Sequence, residues 1–105
     1  MLDECLPRKL GQLLVGHEVS TVPQAGWAGV VNGQLLQRIT GNFDAFITVD
    51  QNLPAQQKTA ALTFGVIVLR APTNRLPDLA PLVPEILSAL RSLRPGQLVV
   101  IGAEA

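Results

Sequence analysis

The stretch DAFITVDQNL (residues 44–53) decides how this chain is read. From Ala45 to Val49 every position is apolar or β-branched, with none of the alternation a half-wet strand shows. Such a strand needs cover on both faces, and its usual home is the interior of a parallel sheet. GVIVL (65–69) and QLVVI (97–101) have the same character. HEVSTV (17–22) alternates more and is bounded by Gly16 and Pro23, which predicts a weaker strand nearer an edge.

Helical spacing fills the intervals. Leu6, Leu10, Leu13 and Leu14 recur as one helix face, with Pro7 suited to the first turn. Asn32 is a candidate cap for a helix carrying Leu35, Leu36 and Ile39, and Gly41-Asn42 can end it. The run from Leu79 to Leu93 is the longest periodic pattern and stops at Pro95-Gly96. Pro77 and Pro81 give it an irregular start, and Pro84 delays regular helix to about residues 82–93. Strands alternating with helices predict an α/β fold, a three-layer α/β/α sandwich around a mostly parallel sheet. Such folds begin on a central strand. Here only Met1 and Leu2 precede Asp3, so that first strand is expected to be shortened.

The length of 105 residues fits a single domain spanning 1–105. High apolar content with few charges excludes a disordered chain. A formal net charge of zero leaves no long-range pull toward nucleic acid, so an RNA substrate would need a local basic patch. One cysteine excludes an internal disulfide and fits a cytoplasmic protein. The expectation is also of no membrane span and no secretory leader.

In open parallel sheets, ligands bind beyond the carboxyl ends of the strands, where the strand order reverses. Asp50 directly follows the FITV run, and Asp3 directly follows the shortened strand. If these strands are neighbours, the two carboxylates converge, and paired carboxylates suit a hard cation such as magnesium. Against this stands the ordinary use of Asp at strand ends, as a cap or the start of a turn.

The blocks LDECLPRKL, GHEVSTVPQAGWAG, NGQLL, DAFITVDQNLPAQQ, GVIVLRAPTNRL and LRPGQLVVI resemble those of small single-domain bacterial and cyanobacterial PIN-like proteins. DECLP and TVDQNL carry the resemblance most specifically, and it runs over nearly the whole chain. It implies a PIN-like α/β/α sandwich and, in active members, a magnesium- or manganese-dependent ribonuclease with a cluster of acids. It implies Asp3 and Asp50 as catalytic and metal-holding residues. Gln34 stands where a second acid is expected, and Asn52 where many relatives carry another Asp. Toxin–antitoxin association implies RNA and an antitoxin protein as partners. Chains of this family carry a full apolar strand ahead of the acidic pair, whereas this one has two residues there.

Glu4 is read either as a further ligand or as a solvated acid at a helix start. Cys5 reads as a small core residue, His17 as a surface residue and Trp27 as the anchor of a glycine-rich loop. Arg8, Lys9, Arg38 and Gln56 are candidates for substrate contact, with Gln57 and Lys58 beside the last. An unpaired sheet edge points to a homodimer. Two alternatives remain. One is a degenerate PIN-like module that binds RNA or a protein without cleaving. The other, more distant, is a receiver-like signalling domain with Asp50 as phospho-acceptor. Receivers also use a Ser or Thr after the fourth strand and a Lys after the fifth, and here Thr73 comes late and no Lys follows VVIG.

Overall fold

Three apolar runs become three strands, β1 (Ala45–Thr48), β2 (Gly65–Leu69) and β3 (Leu98–Ile101), in a computed structural model that describes residues 1–53 and 58–102. All pair in parallel, in the order β1-β2-β3. Ala45 lies opposite Gly65, and Val66 opposite Leu98. β2 is buried at all five positions, as its unbroken apolar sequence requires.

Beyond β1 the sheet continues as single bridges. Leu2 pairs in parallel with Ile47 on one side and with Thr21 on the other. Its N–H donates to the Ser20 carbonyl at 2.8 Å, and its carbonyl accepts from Val22 at 2.9 Å. Toward β1, Ile47 N–H donates to Met1 and Asp3 N–H donates to Ile47, both at 2.9 Å. Leu2 thus holds a single bridged position between Thr21 and Ile47, outside the three named strands, and is fully buried at 0 % exposure. HEVSTV, expected as a strand, keeps only the bridge at Thr21. A parallel strand exists only as far as its neighbour offers backbone, and Leu2 offers one position.

Helices pack on both faces. Leu35, Leu36 and Ile39 of α2 (Asn32–Ile39) cluster with Phe46, Phe64, Val66 and Val68. Trp27 joins this cluster half-buried, edge-on to Phe43 with ring centroids 6.2 Å apart, as befits the loop anchor expected of it. On the other face, Leu10 of α1 (Arg8–Leu13) and Ile86 of α4 (Val83–Ser92) cluster with Leu2, Ile47, Ile67 and Ile101. A short α3 (Leu76–Leu79) and a 3-10 turn (Ala80–Leu82) precede α4, with Pro77, Pro81 and Pro84 each in a first turn. The prolines thus delay the regular helix as expected, because a missing N–H is harmless only there.

Two local expectations need correction. Leu13 is 40 % exposed, so α1 buries the narrower set Leu6, Leu10 and Leu14. Asn32 is the first helical residue of α2, and Val31 holds the cap position without a side-chain bond. Gly41 at φ +79° does end that helix, in the left-handed conformation glycine adopts freely.

Gly65 sits where α4 returns to the sheet. A Cβ there would lie 2.2 Å from Leu93 Cγ, well inside contact distance. Gly65→Ala is expected to cost about 1–3 kcal/mol through overpacking, read as a lower urea midpoint. Leu93→Ala clears the same space, so the double variant should lose less than the sum of the two single losses.

The Met1 amine donates to the Ala45 carbonyl at 2.9 Å. Burial lowers its pKa from 8.0 to about 6, opposed by the charge of Asp44. The unfolded chain therefore binds more protons between these values, and stability rises with pH across that window. Below pH 6 the full penalty applies, and above pH 8 it vanishes. Unfolding free energy from urea titration is expected to rise by about 2 kcal/mol from pH 6 to pH 8. An N-acetylated chain should lack that rise.

Candidate functional site

The chain leaves the central bridge in opposite directions. From Leu2 it runs out to Thr21, then crosses back to β1 on the other side. The point of reversal lies between Leu2 and Ile47, and the residues just past both are Asp3 and Thr48. This is where open parallel sheets hold ligands.

One hydroxyl organises the edge. Thr48, at 0 % exposure, donates to Asp3 Oδ2 at 2.7 Å and accepts the Asp50 N–H at 3.0 Å. The other Asp3 oxygen, Oδ1, accepts the Glu4 N–H at 2.8 Å. Asp50 in turn starts a turn, its Oδ1 accepting the Asn52 N–H at 3.0 Å. Asp3 and Asp50 are thus both tied to one threonine, Asp3 through its carboxylate and Asp50 through its backbone N–H. The chain needs no long reach to join them, because parallel neighbours at the switch point deliver both to the same edge.

Next along the edge, Gln51 spans β1 and β2. Its Nε2 donates to Val49 and Leu69 carbonyls at 3.1 and 2.8 Å, and its Oε1 accepts Arg70 Nε at 3.1 Å. Arg70 is anchored through its backbone as well, donating to the Ile101 carbonyl at 2.7 Å. Gly102 makes this possible. At φ +116°, a Cβ there would lie 2.0 Å from the Arg70 carbonyl oxygen. Neither Gln51 nor Arg70 stood out in the sequence. The signal was present all the same, since Arg70 follows GVIVL directly, as Asp50 follows the FITV run.

Glu4 is exposed and takes the Gly29 N–H at 3.2 Å, so it ties the Trp27 loop to the edge. Asn74 donates to the Cys5 carbonyl at 2.7 Å. The Cys5 thiol is half-buried, and its pKa is pushed up by burial and by the charge of Asp3, against a hydrogen bond with the Val49 backbone. A thiol held protonated is a poor nucleophile, which fits the packing role read from the sequence.

Arg8 and Lys9 sit on α1, and Gln34 and Arg38 on α2. Gln34 lines a depression with Val31, Lys58 and Leu62. Arg8 shares a groove with Thr21, Pro23 and Gln24, and Lys9 is exposed on α1. Arg38 occupies the last turn of α2, beside the turn that leads into β1, at the end of the sheet opposite Asp3. A helix crossing over a parallel sheet runs against the strands, so its last turn cannot reach their carboxyl ends. Gln56 falls outside the described residues. Among the described residues, no three His, Cys, Asp or Glu side chains form a metal-holding group. No helix among them is long and apolar enough to cross a membrane.

Compared with protein-family models, curated proteins and solved structures, the chain matches none.

Thr48→Val keeps shape and removes the hydroxyl, leaving an Asp3 oxygen and the Asp50 N–H without this partner. A loss of about 1.5–3 kcal/mol is expected in urea unfolding, because one of the bonds is to a charged group. Thr48→Ser should keep most of the stability.

Proposed function

We propose that this edge is the divalent-cation site of a PIN-like endoribonuclease, a hydrolase acting on RNA in the cytoplasm. The observation that carries the reading is the Thr48 hydroxyl set between Asp3 and Asp50 at the switch point. The donor set is oxygen only, and two carboxylates with waters and substrate phosphate are enough for magnesium or manganese. Asp3 and Asp50 would hold the ion, with the Asn52 amide beside them. When bound, it would supply charge at the phosphodiester and an activated water. Thr48 and the Glu4 N–H keep Asp3 in one orientation, so the carboxylate loses little freedom on binding. Arg70, steadied by Gln51, would offer a guanidinium to a phosphate oxygen on the neighbouring strand end.

The wider picture in this proposal is a three-layer PIN-like sandwich acting as a toxin opposed by an antitoxin protein. Self-association through β3 fits it, since Leu98 and Val100 are 37 % and 47 % exposed there.

A second reading, a PIN-like module that binds RNA or a protein without cutting, has its own support. Both Asp3 oxygens already accept hydrogen bonds, and the third acid of a full cluster is missing among the described residues. A receiver-like reading has less, because the Thr73 hydroxyl it would need donates to Asp78.

Manganese titrated against thermal stability, alongside cleavage of a labelled RNA, separates these readings. The ribonuclease reading expects a metal-dependent rise in melting temperature and cleavage that falls about a hundredfold or more in Asp50→Asn and Asp3→Asn. Cleavage unchanged by Asp50→Asn would refute it. RNA retention without cleavage or metal shift would select the second reading.

A further inference from the structure

On the outer side of the Thr21 segment, two depressions of about 430 and 370 Å³ share Arg8, Thr21 and Gln24 in their linings. The first adds Leu6 and Pro23, the second Gly11, Gln12, His17 and Val19. Thr21 pairs in parallel with Leu2, so Pro23 lies toward the carboxyl edge, as Asp3 does, and Val19 toward the opposite one. The two depressions make one groove between α1 and residues 19–23. We propose that a single strand of RNA passing over the acidic edge continues along this groove, with a phosphate held between Arg8 and Gln24. This rests on the ribonuclease proposal for RNA as the ligand, not for its cleavage.

The backbone of this segment turns away another strand. Leu2 pairs with groups of Ser20 and Val22, so Thr21 points its own N–H and carbonyl outward. Both are taken locally. The Thr21 N–H donates to Gln24 Oε1, and the Thr21 carbonyl accepts the Ala25 N–H, each at 3.0 Å. A peptide strand therefore finds no ladder at this position. Gln24 N–H donates back to Thr21 Oγ1 at 3.2 Å, the reciprocal pairing of a capping box. With its oxygen fixed on Thr21, the Gln24 amide keeps its Nε2 hydrogens for a ligand.

What the groove offers is donors, and they suit phosphate. Arg8 lines both depressions and makes no hydrogen bond or ion pair among the described residues. It is a permanent cation whose fork of N–H groups fits phosphate oxygens. Gln12 follows one turn later on the same face of α1, and with the imidazole of His17 it carries donors on toward Val19. The floor is closed, because α1 packs directly on the segment. A Cβ on Gly11 would lie 2.8 Å from Val19 Cγ1. The chain is neutral overall, so any hold on a polyanion has to come from a local concentration of donors such as this. Contacts of this kind go to the backbone of a nucleic acid, which makes them tolerant of sequence and sensitive to salt.

The probe is a fluorescein-labelled oligouridylate of about ten nucleotides, measured by anisotropy without metal so that nothing is cleaved. Arg8→Gln is expected to weaken binding about tenfold and to lower the slope of log affinity against log salt by about 0.7, the share of one phosphate contact. Gln24→Glu keeps both bonds with Thr21 and sets a negative charge against the phosphate. It should weaken binding at least as much while the melting temperature stays unchanged. Arg91→Gln removes the same charge from the last turn of α4 and should alter affinity by less than about twofold. Equal losses in Arg8→Gln and Arg91→Gln would mean diffuse attraction and overturn the proposal. So would an affinity indifferent to both Arg8 and Gln24, or no binding at about 0.1 mM protein. Binding that depends on Arg8, in a chain that shows no manganese-dependent cleavage, would uphold the groove and refute the ribonuclease reading. Cleavage with an affinity indifferent to Arg8→Gln would do the reverse.

Discussion

Everything at the acidic edge depends on one residue's backbone. Leu2 holds Ser20 and Val22 on one side while its two neighbours hold Ile47 on the other, so a single bridged position joins two halves of the sheet. Buried backbone groups must find partners, and between Thr21 and Ile47 there is no other source. Without this bridge the Thr21 segment would have no sheet to join, and Asp3 no fixed place. The side chain adds its share. Leu2 lies wholly within the cluster formed by α1, α4 and the sheet, so backbone pairing and apolar burial secure the same residue.

The electrostatics of the edge follow from that placement. Asp3 is held by a hydroxyl and a backbone N–H, both neutral donors, and this orients its charge without cancelling it. The guanidinium of Arg70 is tied to the Gln51 amide as well as to the sheet, which keeps a cation at the end of β2 in a defined direction. Negative charge therefore gathers at the ends of the central strand and β1, and positive charge one strand further on. Such a division suits a ligand with both a cation-seeking and an anion-like part, as a metal-bound phosphodiester has.

Much of this was legible in the sequence because strands covered on both faces leave a plain mark. AFITV, GVIVL and QLVVI became β1, β2 and β3 with ends shifted by no more than a residue. Asp3 and Asp50 were found by the same logic, since strand ends at a switch point can be read without coordinates. Pairing partners could not be read. HEVSTV has the composition of a strand but lacks a neighbour long enough to make it one. Leu13 fits the helix face in spacing but stays 40 % exposed. Arg38 sits in the last turn of α2, and periodicity along a helix does not say which edge of the sheet that end reaches. Gln51 was overlooked for another reason. Its value comes from bridging two strands at once, which depends on register rather than on residue type.

The central bridge also imposes an order on folding. The bridge from Leu2 to Ile47 closes a long stretch of chain and needs β1 in place. The pairing of β1 with β2, and of β2 with β3, spans shorter stretches of chain and costs less loop closure. The Leu2 segment is therefore expected to join β1 late, onto a sheet already formed. Until it does, Leu2 and the acids beside it are open to other contacts.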